Sequence, residues 1–145
     1  MSPVGGRQEA LHPDVLDAIA AFRSRYGARL DDPLFVRERC AEMSEEFAEV
    51  CQQHLVPARV VSGARFGEDE HFPGVTLLLA GHYATVVPCR WAPEDERWVG
   101  EVVIDWTAHQ FAGPGTASEV AAGEVPWIAP LEEWRAIWRP IPTAQ

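Results

Sequence analysis

The chain reads as an α+β protein in which N-terminal helices pack on a mostly antiparallel β-sheet. Three observations predict this. Apolar residues recur at helical spacing up to residue 55, β-branched and aromatic runs replace that pattern after Pro57, and short polar turns separate those runs. At 145 residues one domain is expected, long enough to bury about 70% of the surface its unfolded chain exposes.

Residues 1–9 carry no periodic pattern and read as a flexible terminus. From Pro13 onward, Val15, Leu16, Ile19, Ala20 and Phe22 make one apolar helical face; Pro13 suits a first turn and Gly27 a stop. Asp31-Asp32-Pro33 is a turn or cap signal. A second helix is expected over 40–55, with Cys40, Met43, Phe47, Ala48, Cys51 and Leu55 facing inward and Glu42, Glu45, Glu46, Glu49 and Gln52 facing water. Residues 58–61 form a short strand that Ser62-Gly63 ends, and residues 67–74, rich in acid, glycine and proline, form a loop containing His71. Strands follow over 75–79, 82–87 and 98–106, the last two separated by a turn at Pro93-Glu94-Asp95-Glu96. Residues 112–124, rich in glycine, alanine, serine and proline, read as a mobile loop of the kind that can serve as a lid. Pro130 opens a short C-terminal helix with Leu131, Trp134, Ile137 and Trp138 on one face. The six tryptophans are expected in the core and at interfaces, with Trp106 set apart because it adjoins Asp105 and could wall a substrate cleft.

Composition removes several classes of function. Twenty-two acidic residues against twelve basic give a formal net charge of −10, which repels phosphate backbones and anionic lipid, so no nucleic acid partner is expected. All the basic residues are arginine, and neither lysine nor asparagine occurs; the bias is that of a GC-rich, bacterial coding sequence, and it leaves no lysine to act as nucleophile or amine acceptor. The longest apolar stretch, residues 75–80, is far too short to span a bilayer. No charged leader followed by an apolar run opens the chain. Cys40 and Cys51 lie eleven residues apart, about 16 Å along one helix, beyond disulfide reach. An odd number of thiols in a chain of this size points to a reducing compartment, and a cytoplasmic location is expected. No Cys-x-x-Cys or His-x-x-x-His spacing supports a metal site, and no glycine-rich loop follows a strand, so neither metal nor cofactor is expected.

Chemistry concentrates in Cys40, His82 and Asp105. Cys40 opens the second helix, where unpaired backbone N–H groups and the helix dipole favour a thiolate, and Arg37 and Arg39 add positive charge nearby. A cysteine on the inner face of a helix is also an ordinary packing residue; what separates the two readings is a partner base. With the turn centred on Pro93 and Glu94, His82 and Asp105 are expected directly opposite each other on antiparallel strands, their Cβ atoms about 5 Å apart, so that the carboxylate orients the imidazole. Cys40 is then the nucleophile, His82 the general base and acid, and the Cys40 backbone N–H a first oxyanion donor. Cys51 and Cys89 have no candidate base nearby and read as packing residues. His109, four residues beyond Asp105, either lines the site or lies on the surface.

These residues resemble the core of the transglutaminase-like branch of the papain-like cysteine enzymes. Cys40 begins a helix that leads, seventeen residues on, into Pro57-Ala58-Arg59-Val60-Val61, similar to that family's Pro-Ala-Arg segment entering a strand. His82-Tyr83-Ala84 is similar to its His-Ala-Trp and Asp105-Trp106-Thr107 to its Asp-Pro-Thr, while Asp105-Trp106-Thr107-Ala108-His109-Gln110-Phe111 also resembles papain-fold deamidase and toxin domains. Leu55 stands where the family has a helix-ending glycine, and Leu34 stands nearest to its upstream oxyanion donor. The resemblance covers residues 39–111 and implies a papain-like core with a Cys-His-Asp triad. It implies an activity on an amide or thioester of a peptide, a protein or a small molecule, as peptidase, amidase, deamidase or acyltransferase, with Tyr83, Trp106, His109 and Gln110 as substrate contacts. Two alternatives stand beside it: a non-catalytic module that binds a peptide or protein on the same fold, and an acyltransferase or cyclase of a biosynthetic cluster.

Overall fold

The computed structural model describes residues 11–111 and 124–140; the terminus expected at 1–9 and nearly all of the loop expected at 112–124 lie outside them. Helix α1 (Pro13–Tyr26) starts on His12, whose ring nitrogen accepts the Asp14 N–H at 3.0 Å, and stops at Gly27, where φ is +61°. Its buried stripe is Val15, Ala18 and Phe22, continuing Leu11. Leu16, expected inside, is exposed, because the helix is rotated to drive Phe22 between Phe47 and Trp106, with ring centroids 5.3 and 4.9 Å away. A 3-10 turn (Gly27–Asp31) and the single-turn helix α2 (Pro33–Val36) follow, the latter capped by the Asp32 carboxylate on the Leu34 N–H at 2.9 Å.

Helix α3 (Cys40–Gln53) buries Met43, Phe47, Val50 and Cys51. Leu55, expected on that face, is 81% exposed, with φ at +64°. It occupies the left-handed position that closes a helix: its N–H reaches Gln52 O at 3.0 Å, and the Val56 N–H reaches Cys51 O at 2.9 Å. A leucine thus fills a place that favours glycine.

Four antiparallel strands form one sheet in the order β1 (Arg59–Glu68), β2 (Thr76–Ala92), β3 (Arg97–Asp105), β4 (Trp127–Pro130). Two expected breaks are absent. Ser62-Gly63 does not end β1, and Gly81 does not divide residues 75–87, because Gly63 pairs with His82 and Ala64 with Gly81 across a continuous ladder. Gly63 is small for a packing reason instead: a Cβ there would lie 2.7 Å from the Trp138 Cβ and 2.8 Å from its carbonyl oxygen. Strand β4 has no counterpart in the sequence reading. Trp127, Ile128 and Ala129 are all buried, so no alternation marks them as a strand.

The sheet has helices on both faces. Val87, Val102 and Ile104 pack with α1 and α3, whereas Ala84, Val86 and Val103 pack with Trp134 and Trp138 of the C-terminal helix α4 (Leu131–Ile137) and its cap. The helix stripe and the alternating strand residues together supply an α+β core that fixes where β2 and β3 diverge. Among the described residues no helix is long and apolar enough to cross a membrane.

Candidate active site

His82 and Asp105 meet, but not by the expected register. Thr85 pairs with Ile104 and Val87 with Val102, so Asp105 lies diagonal to His82, two residues from the position directly opposite. A two-residue offset keeps both side chains on one face. The His82 Nε2 to Asp105 Oδ2 distance is 2.7 Å, and both side chains are fully buried. Asp105 is held on each oxygen: Oδ1 accepts the Thr107 N–H at 3.2 Å, and Oδ2 also accepts the Trp134 indole N–H at 3.0 Å. The imidazole sits against two indoles, its centroid 4.7 Å from Trp138 and 6.0 Å from Trp134.

Cys40 reaches this pair from the first residue of α3. The Ser44 hydroxyl donates to Cys40 O at 2.6 Å, and the Thr85 hydroxyl donates to Ser44 O at 2.8 Å, which ties the first turn of the helix to β2. Strand β3 pairs with β2 only from Thr85 onward, and Tyr83, just before that point, supplies a backbone N–H that favours the ionised Cys40 thiol. Partial burial pushes the thiol up, yet its pKa is held below the ordinary value by the hydrogen bond and charge of His82 and by the backbone N–H groups of Tyr83 and Ala41. His82 responds in the opposite sense. Burial works against its charge, but Asp105 and then Cys40 raise it from 6.5 to about 9. With Nε2 committed to Asp105, exchange with the thiol falls to Nδ1. The arrangement favours a thiolate beside an imidazolium braced by a carboxylate.

The two arginines expected to assist Cys40 do not act on it. The Arg39 guanidinium donates to Phe35 O at 2.7 Å and pairs with Glu42, and the lowered thiol owes its shift to His82 and backbone donors. Cys51 shows what burial does alone: its thiol is raised to about 12. No disulfide joins any of the three cysteines.

Of the four expected substrate contacts, Tyr83 is 41% exposed, and it is its backbone N–H that bears on the thiol. Trp106 does not wall a cleft; it is buried against Phe22 and Phe47, because the residue after Asp105 turns into the α1–α3 side of the sheet. His109 is buried as well, not on the surface, and burial holds its pKa below the usual imidazole value. Gln110 braces the chain: its amide N–H donates to Thr107 O at 3.0 Å and its oxygen accepts the Glu38 N–H at 3.1 Å, joining the segment after Asp105 to the segment before Cys40. Trp134 and Trp138 complete the site, although their spacing marks them only as the inner face of a helix. The signal for them was Gly63, the residue paired with His82.

A cleft of about 380 Å³ lined by Pro57, Arg59, Trp98 and Glu101 lies at the start of β1 and includes none of the triad. Among the described residues, no three His, Cys, Asp or Glu side chains are grouped so as to hold a metal ion. In comparisons with known proteins the chain matches no family model, no curated protein and no solved structure.

Proposed function

We propose that the protein is a cysteine-dependent hydrolase or acyltransferase of papain-like, transglutaminase-like type, acting on an amide through an acyl-enzyme at Cys40. The observation that carries this is that His82, whose ring nitrogen lies 2.7 Å from the Asp105 carboxylate, is also the side chain that holds the Cys40 thiol below its ordinary pKa. The Cys40 thiolate adds to the amide carbonyl carbon, forming a C–S bond and a tetrahedral oxyanion near the N-terminal backbone donors of α3. As the C–N bond breaks, the imidazolium of His82 gives its proton to the leaving nitrogen. Water, deprotonated by His82, then adds to the thioester; the C–S bond breaks and the acid is released. An amine or hydroxyl in place of water turns the same steps into acyl transfer. Asp105 holds the imidazole in its working orientation throughout.

Iodoacetamide labelling followed by mass spectrometry of each cysteine tests the reading. Cys40 is expected to react well below the pH at which an ordinary thiol ionises and far ahead of Cys51 and Cys89, and Cys40→Ala to abolish that early labelling. Equal rates at all three cysteines would refute an activated thiolate.

A second reading, a peptide- or protein-binding module, is favoured by the arm formed where β1 and β2 run beyond the helices. Phe72, Leu78 and Leu79 there are 64%, 63% and 55% exposed, an apolar surface of the kind that marks contact with a partner. It requires binding to survive Cys40→Ala, with Cys40 reacting as an ordinary thiol.

A further inference from the structure

Asp105 Oδ2 accepts two hydrogen bonds, one from the residue it is expected to orient and one from Trp134, twenty-nine positions further along the chain. The Trp134 side chain is wholly buried, its ring inclined 30° to that of His82. Its helix is pinned independently of the triad: Arg135 donates to Ser62 O at 2.5 Å, and Arg139 and Ala64 exchange backbone hydrogen bonds at 2.8 and 2.9 Å. Strand β4, immediately before α4, pairs Trp127 with Asp105 itself. The indole is therefore a fixed donor aimed at a carboxylate whose own terminal torsion has only a broad preference.

We infer that Trp134 is a positioning residue of the triad: its N–H keeps the Asp105 carboxylate turned toward His82, and through His82 sustains the thiolate at Cys40. The inference rests on the reading of Cys40 as an activated nucleophile. Without the N–H, a buried carboxylate is left one donor short, held about Cβ–Cγ only by the Thr107 N–H on Oδ1 and by His82 itself. Nε2 of His82 then faces a less well-aligned anion, the imidazolium loses support, and the thiolate it stabilises gives way to thiol. Trp134 does not touch the reacting atoms, so its effect must appear in the ionisation of Cys40.

The test is the pH profile of iodoacetamide alkylation at Cys40 in the full chain, resolved by mass spectrometry. The wild-type protein is compared with Trp134→Phe and with a protein carrying 3-benzothienylalanine at position 134, an isostere in which sulfur replaces the N–H. Both substitutions are expected to move the midpoint up by about one unit, so that on the rising limb Cys40 reacts about tenfold more slowly. The isostere is expected to keep the wild-type melting temperature, which separates loss of the hydrogen bond from loss of packing; if Trp134→Phe does not fold, the isostere decides alone. A wild-type midpoint retained by the folded isostere overturns the inference while leaving the nucleophile in place. A wild-type Cys40 that titrates at or above the ordinary thiol range overturns the nucleophile, and the inference falls with it.

Discussion

The two ends of α3 carry the same residue type to opposite chemical fates. Cys40 at the first turn and Cys51 in the last are both withdrawn from water, and burial raises both thiols. At Cys51 nothing opposes burial, and the thiol is driven to about 12. At Cys40 an imidazole and two backbone N–H groups outweigh burial, and the pKa falls below the ordinary value. The difference teaches that position on a helix is a minor part of activation. The Ala41 N–H is one contribution from the helix terminus, whereas His82 and Tyr83 come from a strand to which Thr85 ties the helix at Ser44.

The largest break in this comparison should come from Asp105→Ala. The change leaves the buried His82 and Trp134 donors without their acceptor. Removing one member of a buried, hydrogen-bonded pair costs about 3–5 kcal/mol, to be read as a lower midpoint in urea unfolding. Alkylation of Cys40 should slow toward that of Cys89, while Cys51 should stay inert. Asp105→Asn, which keeps the shape, should cost less stability yet slow Cys40 comparably.

The two thiols should also titrate stability with opposite sign. Cys40 ionises more easily folded than unfolded, so its contribution is full above 9.0 and is lost as pH falls through its lowered folded value. Cys51 is neutral in the fold up to about 12, so its contribution is full below 9.0 and is lost as pH rises toward 12. His82, raised to about 9 from 6.5, contributes fully below 6.5 and loses that contribution as pH rises through about 9. Melting temperatures across pH should therefore show a shallower alkaline fall in Cys51→Ala. Cys40→Ser should lose its difference from wild type on the acid side. Parallel curves for all three proteins would mean that neither thiol is perturbed.

The fold was legible where one period governs a segment. Helices α1 and α3, the turn after Ala92, and the α+β order follow from stripes and breakers. It was illegible where two faces are buried at once, as in β4, and where a glycine lies within a continuous ladder instead of at a bend, as at Gly81 and at Gly63, which packs on Trp138. The site shows the same division. Cys40 and Asp105 stand at element ends that the pattern marks, His82 lies inside a longer strand than expected, and even a two-residue error in register left His82 and Asp105 on one face. Trp134, Tyr83 N–H and Gln110 act through long-range geometry that no local pattern carries. Gly63→Ala tests that long-range part: a Cβ pressed on the Trp138 backbone must displace the cap of α4 from β1. A loss of about 1–3 kcal/mol is expected, with slower Cys40 alkylation because Trp138 packs on His82. Unchanged stability would mean that α4 yields freely and cannot brace the site.

The smallest effect is expected at the other end of α3, and it sharpens the comparison by leaving Cys40 alone. Leu55 holds φ at +64° with its side chain 81% exposed. The left-handed conformation costs an L-residue roughly 1–2 kcal/mol, while glycine adopts it without strain but loses about 0.5–1 kcal/mol more backbone freedom on folding. An exposed leucine offers little burial to set against this. Leu55→Gly should therefore raise stability by up to about 1 kcal/mol, seen as a higher urea midpoint. The hydrogen bonds from Leu55 and Val56 back into the last turn should persist, and so should the alkylation profile of Cys40. A gain in stability without any change in that profile would place the activating contacts wholly at the first turn and the strand beside it. A shift in Cys40 reactivity would instead mean that the helix transmits strain from one end to the other, and the two cysteines could no longer be treated as separate environments.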